Sequence, residues 1–169
     1  MRELVAKLKE IGALYREPVI LASGAKSDYY FDIKKAYGYP VIARKIHEGL
    51  WPLVRHDVDF VAAKGYGGIS LATSFRDNYN LKMTMVRDKP KDHGKGGWLD
   101  GYIPSKGEKG LAVDDVFTTG GSLRKVMGKI SEVGAEIIQC AVVVKRGDGE
   151  FPVPLVHLLT NEDILSETM

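Results

Sequence analysis

Apolar residues at Leu4, Val5, Leu8, Ile11 and Leu14 carry the spacing of one helical face across residues 2–14, and Gly12 weakens its end. The stretches VILAS (19–23) and YYFDI (29–33) flank the turn-prone GAKSD, a pattern that predicts a hairpin. Pro40 suits the first turn of a helix running to about Val54, with Ile42, Ile46, Leu50 and Leu53 on one side.

The rhythm then alternates. DFVAAKG, KMTMVRD, LAVDDV, EIIQCAVVVKR and VPLVHLLT are short apolar runs that read as strands. Between them GGISLATSFRDNY and GSLRKVMGKISEVG read as helices, the second with Leu123, Val126, Met127 and Ile130 inward. Strands that are continuously apolar, interleaved with amphipathic helices, predict an α/β fold with a mainly parallel central sheet covered on both faces. Ligands of such sheets bind outside the carboxyl ends of the strands, where Asp114 and Asp115 fall. Residues 87–110 show no core pattern, and so long a stretch in a compact chain reads as a binding loop or lid. No repeat or linker divides the chain, which reads as one domain over 1–169: a helix and hood to about 38, a core over about 39–165.

Bulk composition changes this picture little. A chain of 169 residues that is 44% hydrophobic can bury one sizeable core, and 24 Lys and Arg against 22 Asp and Glu give a net charge of only +2. That balance speaks against a nucleic-acid partner. The single Cys140 lies in an apolar run and leaves no intrachain disulfide or multi-cysteine metal site. The charged MRELVAKLKEIG lacks a signal-peptide core, and no run has the length of a membrane span, so a cytoplasmic protein is expected.

The candidate chemistry lies in AVDDVFTTGGS (112–122). A strand, a Gly-containing turn and a helix start make an anion site, because the first N–H groups of the helix lack partners and its dipole favours negative charge. Gly120 and Gly121 allow close approach, and Thr118, Thr119 and Ser122 add hydroxyl donors. Two carboxylates would repel a phosphate unless they face a different part of the ligand. Ribose hydroxyls, which donate to carboxylates, are the economical answer, so the predicted ligand is a sugar phosphate. No lysine follows the glycines, which excludes the common nucleotide-binding loop.

AVDDVFTTGGS resembles the phosphoribosyl-diphosphate motif of the type I phosphoribosyltransferases. Three further segments resemble their orotate-specific branch: LASGAKSDYYFDIKKAYGYP its base-binding hairpin, AAKGYGGISLAT its diphosphate loop, and VRDKPKDHGKGGWLDG its mobile catalytic loop. The resemblance implies the type I fold, a mainly parallel sheet flanked by helices with a small N-terminal hood. It implies transfer of a phosphoribosyl group from phosphoribosyl diphosphate to orotate, giving orotidine 5′-monophosphate and diphosphate. Action on another base, or metabolite sensing without catalysis, stays open as an alternative.

By the same resemblance, Asp114, Asp115, Val116, Phe117, Thr118, Thr119, Gly120, Gly121 and Ser122 bind the ribose phosphate, and Tyr66, Gly67 and Gly68 the diphosphate. Arg87, Lys91 and His93 contact the diphosphate and, with Asp115, form the catalytic set. Tyr30 and Phe31 pack on the base, Lys26 partners a phosphate or carboxylate, and Arg146 recognises the carboxylate of orotate. Mg²⁺ is expected on the substrate's diphosphate rather than on dedicated protein ligands. A homodimer is expected, with loop 87–97 reaching the neighbouring site. This chain departs from the family pattern at Asp88, Gly67 and Ala22, where relatives often carry lysine, and at Lys145, where they often carry aspartate.

Overall fold

Helix α1 (Arg2–Glu10) buries Leu4, Val5 and Leu8, the stripe that the spacing predicts. The computed structural model describes residues 2–15, 19–20, 26–27, 30–91 and 97–166, with the backbone alone at 15, 19, 20, 26, 27, 165 and 166. Four two-residue strands follow α1: β1 (Leu14–Tyr15), β2 (Val19–Ile20), β3 (Lys26–Ser27) and β4 (Tyr30–Phe31). They correct the expected hairpin. Val19–Ile20 pairs with Lys26–Ser27, inside the segment read as a turn, and Tyr30–Phe31 pairs antiparallel with Leu14–Tyr15. Leu14 thus belongs to a strand, where it is buried opposite the buried Phe31. Apolar spacing alone does not distinguish that from one more helical turn.

A 3₁₀ turn (Ile33–Gly38) leads into α2 (Pro40–Leu50), which buries Ile42, Ile46 and Leu50. The helix stops short of Val54, at a second 3₁₀ turn (Trp51–Leu53) that contains Pro52, a residue with no N–H to continue the ladder. Leu53 consequently leaves the inward face and is 44% exposed.

The remaining chain alternates as expected: β5 (Phe60–Ala63), α3 (Gly65–Tyr79), β6 (Lys82–Lys91), β7 (Gly97–Gly101), β8 (Lys109–Phe117), α4 (Gly121–Ser131), β9 (Glu136–Lys145), β10 (Leu155–Thr160) and α5 (Asn161–Ser166). The six long strands form one sheet in the order β10-β9-β8-β5-β6-β7. All neighbours are parallel except β7, which runs antiparallel to β6 at the edge. Alternate residues of one strand enter different cores: Val61 and Ala63 face α2 and α3, while Phe60 and Ala62 face α4. Both faces are dry, which is why these strands read as unbroken apolar runs. The turn into α5 is closed by Thr160 and Asp163, each donating a backbone N–H to the other's side-chain oxygen.

The stretch 87–110 is more ordered than its composition implies. β6 continues to Lys91 and pairs with β7 as a projecting ribbon, with an irregularity between Val86 and Lys91. Residues 87–91 are all exposed, so no apolar alternation marks them as a strand. Parallel order brings the carboxyl ends of β5, β6, β8 and β9 to one rim. That rim gathers Lys64, Arg87, Asp114, Asp115 and Arg146.

Candidate active site

Asp114 and Asp115 lie near the carboxyl end of β8, which runs on to Phe117. Each carboxylate accepts the next residue's amide: Asp115 N–H donates to Asp114 Oδ1 at 2.9 Å and Val116 N–H to Asp115 Oδ1 at 3.0 Å. Lys34 Nζ stands 3.8 Å from Asp115 Oδ2 and 3.2 Å from Asp32. Burial opposes the Lys34 charge, but Asp115 and Asp32 outweigh it and raise its pKa. Burial, and then the charge of Asp115, lifts the Asp114 carboxyl well above the usual carboxylate range. The Tyr37 hydroxyl is fully buried with no hydrogen-bond partner among the described residues. Burial and the fields of Asp115 and Asp114 push its pKa up too, which places it near both acids. Such a site favours a ligand that donates hydrogen bonds to carboxylates.

Two helix starts flank the acids. Helix α3 begins at Gly65, and its N-cap Lys64 makes no side-chain cap, so its first N–H groups point outward. A Cβ at Gly67 would fall on the Asp115 carboxylate, and one at Gly68 would lie 2.9 Å from the Val113 carbonyl. The glycines therefore serve less to begin the helix than to let it meet β8. Helix α4 is capped by Gly120 at φ 77°, again without a side-chain bond. A Cβ there would strike the rings of Phe151 and Phe117 at 2.6 and 2.7 Å, whereas one at Gly121 would make only an ordinary contact with Thr119 Oγ1 at 3.9 Å. Phe117 is buried beneath this turn and supports it from the core side. The Phe117 carbonyl accepts Arg146 N–H at 2.8 Å, tying the end of β9 to the turn. The Arg146 guanidinium lies 4.8 Å from the centre of the Phe31 ring, which is itself buried.

The ribbon β6–β7 supplies cations. Asp100 holds two of them, Arg87 at 2.6 Å and Lys91 at 2.5 Å, and their bonds depress its pKa, Lys91 first. Asp88 pairs with Lys64, and its carbonyl accepts Lys125 Nζ at 2.8 Å. A cleft of about 680 Å³ opens between α3 and the ribbon, lined among others by Tyr66, Ile69, Met85, Arg87 and Asp100. Tyr66 is 88% exposed at its mouth.

Comparison with known proteins agrees with this layout. The phosphoribosyl transferase domain family matches residues 40–164. An orotate phosphoribosyltransferase of Methanocaldococcus jannaschii is 35% identical over 97% of this chain and 96% of its own, and one of Methanopyrus kandleri 36% over 96% and 91%. The chain belongs to the phosphoribosyltransferase family, on its orotate phosphoribosyltransferase branch. The crystal structure of orotate phosphoribosyltransferase from Aeropyrum pernix superposes with a TM-score of 0.85 at 28% identity, covering 97% of each chain. The mostly parallel sheet and flanking helices described above are thus the type I phosphoribosyltransferase fold.

Of the residues singled out in the sequence, Asp114, Asp115, Gly67, Gly68, Gly120, Gly121 and Ser122 meet on one rim, with Thr118 and Thr119 in the turn between β8 and α4. Arg146 and Phe31 adjoin each other there. Val116 is half-buried, and the side chain of Phe117 packs into the core rather than toward a ligand. Tyr30 is half-buried in β4. His93 and Ala22 lie outside the described residues, and Lys26 is described by its backbone alone. Four residues at the site escaped sequence reasoning: Lys34, Tyr37, Lys64 and Asp100. Only Lys64, a charge ending an apolar strand, carried a signal comparable to that of the Asp pair.

Proposed function

We infer that this chain transfers the 5-phosphoribosyl group from phosphoribosyl diphosphate to orotate, releasing diphosphate and forming orotidine 5′-monophosphate. The observation that carries the reading is the seating of Asp115 against Gly67. It puts a hydroxyl-accepting carboxylate between two helix starts that carry no side-chain cap, one for each phosphate group of a doubly phosphorylated ribose. Asp114 and Asp115 hold the ribose hydroxyls, and Thr118, Thr119, Gly120, Gly121 and Ser122 hold the 5′-phosphate. The amides from Tyr66 to Gly68, with Arg87, Lys91 and His93, receive the diphosphate. Arg146 takes the carboxylate of orotate, which is what separates that base from uracil, while Phe31 and Tyr30 offer the ring an apolar wall.

As the C1–O bond breaks, its electron pair leaves with the diphosphate and positive charge develops on the ribose, as in glycoside cleavage. Asp115 lies beside that charge, and the base nitrogen attacks C1 on the face opposite the departing diphosphate and loses its proton to solvent. The protein's share is positioning and electrostatics. Mg²⁺, when bound, neutralises diphosphate charge. Two adjacent carboxylates are too few for its six oxygens, which suits a cation carried mainly on substrate oxygens. We place the projecting ribbon in the site of a second copy of this chain. We place the enzyme in the cytoplasm, since polyanionic substrates do not cross bilayers; among the described residues no helix is long and apolar enough to span one.

Loss of orotate absorbance on adding phosphoribosyl diphosphate and Mg²⁺ tests this directly. Turnover is expected with orotate and none with uracil or a purine. No turnover at high enzyme concentration would leave a binding protein instead.

A further inference from the structure

The 3₁₀ turn Ile33–Gly38 follows β4, the strand offered to the base, and meets both α3 and β8. Lys34 is its second residue. The Lys34 ammonium stands 3.2 Å from Asp32, which directly follows Phe31, and 3.8 Å from Oδ2 of Asp115. Tyr30 adds its field to those of the two acids at the same ammonium. One cation thus lies between the wall of the base and the acid of the ribose. The Asp115 side chain is 16% exposed and that of Lys34 45%, so a packed acid is met by a cation from the solvent side. Asp115 has little freedom elsewhere: its Oδ1 accepts Val116 N–H, and the carboxylate lies against the bare Cα of Gly67. Among the described residues, the acid pair is also faced by the Tyr37 hydroxyl of the same turn, by Lys64 at the start of α3 and by the Cys140 thiol of β9.

We propose that Lys34 is a positioning residue for the ribose, holding Asp115 in its charged form with Oδ2 turned to the rim. This rests on the phosphoribosyl-transfer reading above. Two carboxylates side by side do not ionise independently, and a cation standing on one of them decides which keeps its charge. Lys34 stands on Asp115, whereas burial opposes the charge of Asp114. An ionised carboxylate accepts a hydrogen bond from a hydroxyl more strongly than a neutral one. An ammonium carries three donors, so Lys34 can hold Asp32 and Asp115 together while Asp115 keeps acceptor capacity for the sugar. The diphosphate is received elsewhere, by the amides from Tyr66 to Gly68 and by the ribbon. Dependence on Lys34 therefore belongs to ligands that contain the ribose.

The test is calorimetric titration of the full chain across pH 5–9, with phosphoribosyl diphosphate and separately with inorganic diphosphate, both with Mg²⁺. Lys34→Met is expected to weaken binding of phosphoribosyl diphosphate about three- to fivefold near pH 7 and to leave inorganic diphosphate within about twofold. The pH at which the affinity for phosphoribosyl diphosphate is half lost moves upward, because the acid pair has lost its cation. Lys34→Gln behaves likewise, and Lys34→Arg restores both the affinity and the pH profile; thermal melts at pH 7 check that each variant is folded. Unchanged affinity for phosphoribosyl diphosphate in both neutral variants would overturn the assignment. So would an equal loss for the two ligands with the wild-type pH profile, the mark of a turn that only supports the fold. A wild-type chain that binds phosphoribosyl diphosphate without turning over orotate would overturn the transferase reading and leave this assignment standing, since the titration needs no turnover. Failure of the wild type to bind it at all would overturn both.

Discussion

The carboxylate of Asp115 occupies the space that a side chain at Gly67 would need. The first turn of α3 and the end of β8 are thereby locked together, and neither can change without the other. Gly67→Ala must push Asp115 off its place over the rim or displace the helix start. We expect at least a tenfold loss of kcat/KM, with the affinity for phosphoribosyl diphosphate falling in calorimetric titration. A variant with unchanged kinetics would mean that Asp115 has no role in holding ribose.

Asp100 bonds Arg87 and Lys91 together. All three side chains are partly exposed, so solvent screens both pairs and each is weak. The diphosphate has to draw both cations away from this acid. Asp100→Asn should therefore lower KM for phosphoribosyl diphosphate modestly, by up to about fivefold. Initial-rate measurements at saturating orotate check this, and a raised KM would show Asp100 to orient the cations rather than to compete for them.

Burial raises the Asp114 pKa, with the charge of Asp115 adding to it. A carboxyl whose folded pKa lies above its ordinary value near 3.9 binds more protons folded than unfolded. Its contribution to stability thus declines as pH rises from about 4 through the raised folded value. Asp114→Asn should raise the melting temperature at pH 8, at about 2–4 °C per kcal/mol for a chain of this size. The gain should shrink toward pH 4. Ribose hydroxyls bind the ionised form, so affinity for phosphoribosyl diphosphate in the wild type should climb over the same rise in pH. Melts and titrations across pH 4–9 check both; a pH-independent difference between the two proteins would contradict the assigned cause.

Arg146 is fixed at its backbone by Phe117 and at its guanidinium by the Phe31 ring. Removing a charge-assisted bond to a substrate carboxylate costs about 1.5–3 kcal/mol. Arg146→Ala should accordingly raise KM for orotate roughly ten- to a hundredfold and leave the affinity for phosphoribosyl diphosphate within about twofold. Steady-state kinetics with each substrate varied in turn separates the two. Equal effects on both would place Arg146 in a structural role.

The alternation of apolar strands and amphipathic helices was enough to predict a parallel sheet, because burying both faces of a strand leaves a continuous apolar run. The acids of β8 and the glycine turns were legible too, since charge at the end of such a run demands a partner and the two turns lie next to their strands in the chain. What the chain did not disclose is where distant segments meet. Tyr30–Phe31 pairs with Leu14–Tyr15, and no local signal selects that partner over a nearer one. Residues 87–91 look like a loop because both of their faces meet water, and only pairing with β7 makes them a strand. Lys34, Tyr37 and Asp100 are ordinary residues in one dimension, and Lys64 is marked there only as a charge ending an apolar run. Lys64 joins the site because parallel strand order carries the ends of β5, β6 and β8 to one rim. Asp100 joins it because the antiparallel β7 pairs with β6, and Lys34 and Tyr37 because the 3₁₀ turn after β4 meets the end of β8, where a charge is defined by what stands opposite it.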